Sequence, residues 1–356
     1  MPSVSWGYAA TLGGLCSTRT MTDFRSTSQL AEDATRTIKN ALRGARQCAL
    51  VDFPDHGNVG DSAIWSGEIE ILKSLGVTIA YVSNLHSLSA GVLNNVLDAD
   101  DPVLIHGGGN FGSVWPAHQE HRHRILRECR GRPVIQLPQS VHYAKPADAM
   151  ETRDLIKMHG QFTMMVRDEP SKEFVIAQLA VDATLCTDSA LALHSRLMRR
   201  KPQVDILVLA RTDKERRDDG AATLAFPADV HVQFADWVDD PSTLGSVAAG
   251  TIWPRASGRL TSLPGFFRVL RCAWDAAANA RVTRGCNLLS RGRVVVTDRL
   301  HAHILCTMLG IPHVVMDNSY RKVGNFIDAW TAGNPLVHRA TDAEHAAALA
   351  VQLLSA

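Results

Sequence analysis

No stretch of this 356-residue chain reaches the ~18 consecutive apolar residues expected of a membrane-spanning helix. The first 20 residues lack both a basic region and a long apolar one, which argues against a secretory signal. Met21 is an alternative start, and residues 1–26 are expected to be a disordered extension. Neither charge is in surplus: 37 Lys and Arg face 36 Asp and Glu, a net charge of +1. The basic excess usual in nucleic-acid binding is missing, so no nucleic-acid partner is expected. The 7 cysteines are odd in number, scattered and without C-x-x-C spacing. That excludes a disulfide framework or a cysteine zinc site, and it points to free thiols in a reducing, cytoplasmic compartment. Among the 15 histidines there is no H-E-x-x-H. His118, His121 and His123 share a predicted helix with no partner at ligand spacing. They read as a solvated face, and no metal is expected.

Several catalytic signatures are also missing. There is no G-x-G-x-x-G, and the second predicted strand ends Val82-Ser83-Asn84, without an acid for a ribose, so a nicotinamide site fits poorly. A Walker A motif and a G-x-S-x-G elbow are absent as well. Cys306 lies inside an apolar helical pattern, which suits packing better than nucleophilic work.

What is present is alternation. With 46% hydrophobic residues the chain can bury a large core and fill two domains. Helical stripes at residues 28–48, 88–97, 266–289 and 342–354 are separated by short apolar runs. Those at 49–53, 77–82, 103–106, 133–137, 162–166, 204–210, 230–234, 294–296 and 313–316 read as strands. Repeated strand–loop–helix order is the pattern of an α/β fold, with parallel sheets and helices on both faces. A polar, basic patch at 194–203 reads as a linker. It divides the chain into a domain over 27–198 and a second over 199–356 that closes with the terminal helix.

The loops at predicted strand ends carry the chemistry. The first, GNVGD at residues 57–61, places a helix amino end after two glycines. GGGNFG at 107–112 allows still closer backbone approach, and RDEPS at 167–171 offers a guanidinium. After the strand at 294–296, Arg299 and His301 fall at a strand-to-helix turn, where α/β folds bind anions. Arg299 offers a fork that matches phosphate or carboxylate. His301 is a proton donor or acceptor near neutral pH. Each loop alone reads as an ordinary tight turn, cap or ion pair; several on one edge argue for a ligand crevice.

DFPDHGNVGDSAIW, LIHGGGNFGSVWP, VRDEPS, ARTDKE and TDRLHAHILCTMLGIPHVVMDNSYRKVGNF together resemble the polysaccharide pyruvyl transferases, in the right order over residues 51–330. The resemblance implies two Rossmann-like halves similar to the GT-B glycosyltransferases, with the active site between them. It implies transfer of a pyruvyl group from phosphoenolpyruvate to two sugar hydroxyls as a cyclic ketal. The acceptor would be a polysaccharide or its lipid-linked precursor, and no cofactor is needed beyond the donor substrate. On the family pattern Arg299 and His301 match the donor-site Arg-x-His, and Arg167 matches a second donor-binding arginine. Asn58, Gly108, Gly109, Asn110, Arg211, Asn318 and Lys322 lie in the matching stretches and are the further candidate substrate-binding residues. His301 is the expected acid, with Asp61 or Asp168 as base or sugar ligand. His303 lies on a different face of the helix and is the expected inert control. Residues 245–264 match nothing and are expected to shape the acceptor pocket. The rival readings are a nucleotide-sugar glycosyltransferase and a non-catalytic sugar-binding module. A basic, aromatic helix over residues 264–285 raises the expectation of peripheral contact with the membrane's inner face.

Overall fold

The computed structural model describes residues 24–210, 224–237, 265–317 and 321–355. Arg211, Asn318, residues 1–23 of the expected extension and the unmatched stretch 245–264 lie outside the described residues.

The first half is built on seven strands. In chain order they are β1 Gln47–Phe53, β2 Thr78–Asn84, β3 Val103–Ile105, β4 Gly108–Gly112, β5 Val134–His142, β6 Phe162–Val166 and β7 Ala183–Leu185. They run β2-β1-β3-β5-β6-β7, with β4 paired to β5. The second half holds β8 Val204–Leu209, β9 Val232–Ala235, β10 Gly292–Thr297, β11 His313–Val315 and β12 Val337–Arg339, in the order β12-β11-β10-β8-β9. Every pairing among the described residues is parallel. The central strands are apolar and buried along their length, as strands covered on both faces must be. The strand order reverses beside β1 and again beside β8. Ligands bind outside the carboxyl ends of strands at such reversals, so the loops after β1, β3 and β10 are where a crevice forms.

Eight longer helices matter here. These are α1 Thr27–Leu42, α2 Val59–Ser74, α3 Ala90–Val96, α4 Pro116–Glu128, α5 Met150–His159, α7 Phe266–Leu289, α8 Leu300–Leu309 and α10 Ala343–Leu354. Two shorter ones, α6 Glu169–Phe174 and α9 Lys322–Phe326, sit at the site. α1 begins with a capping box at Ser26 and spans both halves. Ala34, Ile38 and Leu42 pack in the first core, Leu30 and Ala31 in the second. Its helical pattern was expected to run to Cys48. Arg43 instead turns left-handed and closes the helix, and residues 47–48 open β1.

α7, the helix expected to touch a membrane, also crosses between the halves and turns its apolar side chains to both cores. Phe267, Leu270, Trp274 and Ala278 are buried in the first core, with Val282, Cys286 and Leu289 in the second. Trp274 stacks on Phe53 with ring centroids 4.5 Å apart. Arg281 donates to the Pro54 carbonyl and Arg284 to the Gly57 carbonyl. Trp274, Arg281 and Arg284, three of the side chains that suggested a lipid surface, therefore pack against the end of β1 and hold the β1–α2 loop. No described helix is long and apolar enough to cross a membrane.

Three other expectations change. GGGNFG is largely a strand, β4, rather than a loop. His121 and His123 are buried rather than solvated. His123 Nε2 lies 2.8 Å from Thr152 Oγ1, and burial pushes the His121 pKa down to about 4. The described residues contain no cluster fit to hold a metal. Finally, β7 (Ala-Thr-Leu) and β12 (Val-His-Arg) are short, half-buried strands without the apolar run that marks β3 and β11.

Candidate active site

Thr297 ends β10 and fixes the turn that follows. Its hydroxyl accepts from the Arg299 amide at 3.1 Å and donates to the Leu209 carbonyl at 2.9 Å. Arg299 is buried, with Nη2 at 2.7 Å from both oxygens of Asp236. Its guanidinium lies 5.6 Å from the Trp237 ring centre. His301, in the first turn of α8, reaches across to the first half. Its ring lies against Gly60 in the first turn of α2, so closely that a Cβ there would collide with the imidazole. His301 Nε2 is 3.4 Å from Asp188 Oδ2.

Asp188 is the hub beneath these groups. Arg167, at the end of β6, donates from Nη1 to Asp188 Oδ2 at 2.5 Å and from Nη2 to Ser140 Oγ at 3.1 Å. Asp188 Oδ1 accepts from the Ala190 amide at 2.9 Å. Burial pushes the Asp188 carboxyl up, but the charges of Arg167 and then His301 outweigh it and hold the group well below the usual carboxylate range. Gly109 brings a third cation in. A Cβ there would strike the Lys322 ammonium and come within 3.3 Å of Arg167 Nη2. The absence of a side chain at Gly109 is what lets the β4 backbone approach both groups.

Asn58 caps α2, accepting from the Gly60 amide at 3.0 Å and donating to Asp61 Oδ2 at 2.8 Å. Burial raises the Asp61 carboxyl, yet His56, His301, His106 and Lys322 hold it below its ordinary value. Asp61 therefore faces the same cation cluster as the donor residues. Asp168 has a different part. One oxygen caps α6 through the Ser171 amide and the other accepts from Ser140, both at 2.8 Å. Both of its oxygens are engaged, which fits a cap better than a reaction base. Asn110 likewise serves to lock the site, its Oδ1 accepting from Arg122 at 2.9 Å and Gln139 at 3.0 Å. Gly108, at φ 124°, holds a backbone conformation only glycine adopts readily. Beside the cations opens a cavity of about 210 Å³ between the halves, lined by Phe111, Ser140, Tyr143, Asp168 and Lys322.

His303 is not the inert control expected. It is fully buried, 2.8 Å from His313 Nε2 and 3.0 Å from Thr331 Oγ1, and burial depresses its pKa. The sequence reading also missed Asp188, and it missed Glu68, which holds His106 Nδ1 and the Gly107 amide, each at 2.8 Å. A signal for Asp188 existed. Thr187-Asp188 lies just beyond β7 as Thr297-Asp298 closes β10, each a Thr-Asp pair at a strand end.

Comparison with known proteins places the chain in a family. The chain is 30% identical over 307 residues to Pyruvyl transferase 1 of Schizosaccharomyces pombe, covering 83% of this chain and 72% of that one. It is 27% identical over 290 residues to the EpsO protein of Bacillus subtilis, covering 80% and 85%. A solved structure of an uncharacterised protein from Klebsiella pneumoniae superposes with a TM-score of 0.56 at 17% identity, over 88% of this chain and 98% of that one. It bears on the fold alone. The family model described as polysaccharide pyruvyl transferase matches residues 58–320, a span that includes the β1–α2 cap, the β4 glycines, Arg167, Asp188 and the Arg299–His301 turn. The chain belongs to the polysaccharide pyruvyl transferase family.

Proposed function

We propose that this transferase moves a pyruvyl group from phosphoenolpyruvate to two hydroxyls of a sugar residue, in a polysaccharide or its lipid-linked precursor. The product is a cyclic ketal and phosphate is released. The observation that carries this reading is the convergence of Arg167, Lys322 and His301 where Gly60 and Gly109 leave room. A donor with one phosphate and one carboxylate suits several cations in a half-closed crevice. Arg167 and Lys322 are assigned to the anionic groups, with Arg299 as a further fork oriented by Asp236. His301 protonates the methylene carbon. An acceptor hydroxyl then adds at C2, the C2–O bond to phosphate breaks, and a second hydroxyl closes the ketal. Asp61, held by Asn58 within charge range of His301, orients the sugar.

The test is phosphate release from phosphoenolpyruvate over galactose-, glucose- and mannose-type acceptors, with mass detection of the product. Thermal stabilisation by phosphoenolpyruvate is expected. Stabilisation by a nucleoside diphosphate instead, with no phosphate released, would establish the glycosyltransferase rival. Oligosaccharide binding without turnover would point to a binding module.

Gly60→Ala offers a local check. The new methyl group must displace the His301 ring. Misplacement of a catalytic group by about 1 Å can cost on the order of 10²-fold, so a loss of that size is expected with the thermal unfolding transition retained. Wild-type turnover in folded Gly60→Ala would show that the position of His301 does not matter.

A further inference from the structure

We infer that His118, oriented by Asp52, is a second acid–base group of this site, taking the proton from an acceptor hydroxyl and passing it to the departing phosphate. The inference rests on the ketal-forming reaction proposed above, and proton balance in that reaction motivates it. Two hydroxyl protons leave the acceptor. One replaces the proton that His301 delivers to the methylene carbon. The other leaves with phosphate as it departs from C2. A group that has given its proton to carbon can take back one hydroxyl proton but has none left for the departing phosphate.

Asp52 lies near the end of β1, beside the reversal of strand order, and is buried. Its φ is 70°, in the left-handed region that residues other than glycine rarely occupy. Such backbone conformations cluster at functional sites. The carboxylate meets His118 Nδ1 at 3.1 Å and 3.2 Å. A carboxylate on Nδ1 fixes the proton there and leaves Nε2 as the acceptor. His118 is 20% exposed at its side chain while Asp52 is almost fully enclosed. The acid is therefore sealed in while the imidazole is partly open to solvent and feels the charge of Asp61, which is the arrangement of an oriented base.

The pair is next to the donor cations. Asn110 Nδ2 is 3.5 Å from Asp52 Oδ2, and Asn110 follows Gly109, against which Lys322 and Arg167 pack. The groups facing His118 come from several elements. They are Asp52 on β1, Asp61 on α2, His56 in the β1–α2 loop, and Arg122 and His121 on its own helix. A purely structural clip is poorly motivated, because α4 is already tied down. Arg122 donates to Gln136 at 2.7 Å, and Gln119 accepts from the Gly112 amide at 3.0 Å.

The experiment compares His118→Gln, His118→Ala and Asp52→Asn in the full chain, reading phosphate release and donor-induced thermal stabilisation. Both His118 variants should keep the response to phosphoenolpyruvate and lose turnover about 10²–10⁴-fold, and added imidazole should restore part of the loss in His118→Ala. Asp52→Asn supplies the readout that a structural role would not move. Removing the carboxylate makes the imidazolium easier to deprotonate, so the acid limb of kcat/KM for the acceptor should shift to lower pH. Should His118→Ala fail to fold, His118→Gln and the Asp52→Asn profile decide. If the wild type converts phosphoenolpyruvate but His118→Gln stays within twofold of it, or the acid limb does not move, the dyad is wrong and the ketal reading stands. If the wild type releases no phosphate with any acceptor, both fall together.

Discussion

His301→Gln should lower turnover about 10²–10⁴-fold, the usual cost of a lost general acid, while phosphoenolpyruvate still raises the melting temperature. The separation follows from geometry. The cations assigned to the donor, Arg167 and Lys322, are brought to the site by β6 and α9, not by the imidazole. His301 reaches the site from α8 and rests between Gly60 and Asp188. Its side chain is 12% exposed, so it touches the crevice without being part of the apolar core, and the variant should fold. Gln keeps an amide near Asp188 and cannot deliver a proton to carbon. Stopped assays of phosphate release at saturating donor, paired with a thermal titration, separate the two effects. If turnover survives in the folded variant, the acid lies elsewhere; if the folding transition disappears, His301 is a structural residue. His303→Ala cannot serve as a silent comparison, because it opens a buried chain of two histidines and Thr331.

The strand–helix alternation was legible because strands buried on both faces are written as continuous Val, Ile and Leu runs. β3, β8 and β10 show this, and their boundaries follow the runs closely. The Arg299–His301 turn was legible for a related reason, since a strand end followed by a helix start places polar residues at a predictable edge. What was not legible depends on contacts distant in sequence. Asp188 earns its place through Arg167, 21 residues away, and through His301 from the other half. Nothing local marks it except a Thr-Asp pair after β7, a strand with no apolar run. The partners of α7 were not legible because amphipathicity cannot say what the apolar side meets. Here Trp274 meets Phe53, and Arg281 meets the Pro54 carbonyl. β4 was hidden because a glycine-rich segment carries no side-chain alternation, although its backbone pairs with β5. His118 read as solvated for want of its partner, Asp52, which is 66 residues away.

Asp188→Asn should destabilise the protein by about 3–5 kcal/mol at neutral pH, the scale of a buried ion pair broken from one side. The arginine left behind has few other ways to be satisfied. Arg167 and Asp188 are both almost fully buried, and the remaining side-chain bond from Arg167 goes to the neutral Ser140 hydroxyl. An amide has nearly the same shape as the carboxylate but cannot balance the guanidinium charge. The pH dependence carries the sharper test. The Asp188 carboxyl titrates below its ordinary value in the folded protein, because Arg167 and His301 outweigh its burial. In the unfolded chain it titrates near the ordinary aspartate value of about 3.9. Its contribution is therefore fully present above that value, and it is lost as pH falls below it toward the folded value. The stability gap between wild type and Asp188→Asn should be constant near neutrality and narrow in acid below about pH 4. Urea unfolding of both proteins across that range measures it. A gap under about 1 kcal/mol at pH 7, the size of an ordinary substitution, or one that does not narrow in acid, would mean that the Arg167–Asp188 pair does not hold the site together.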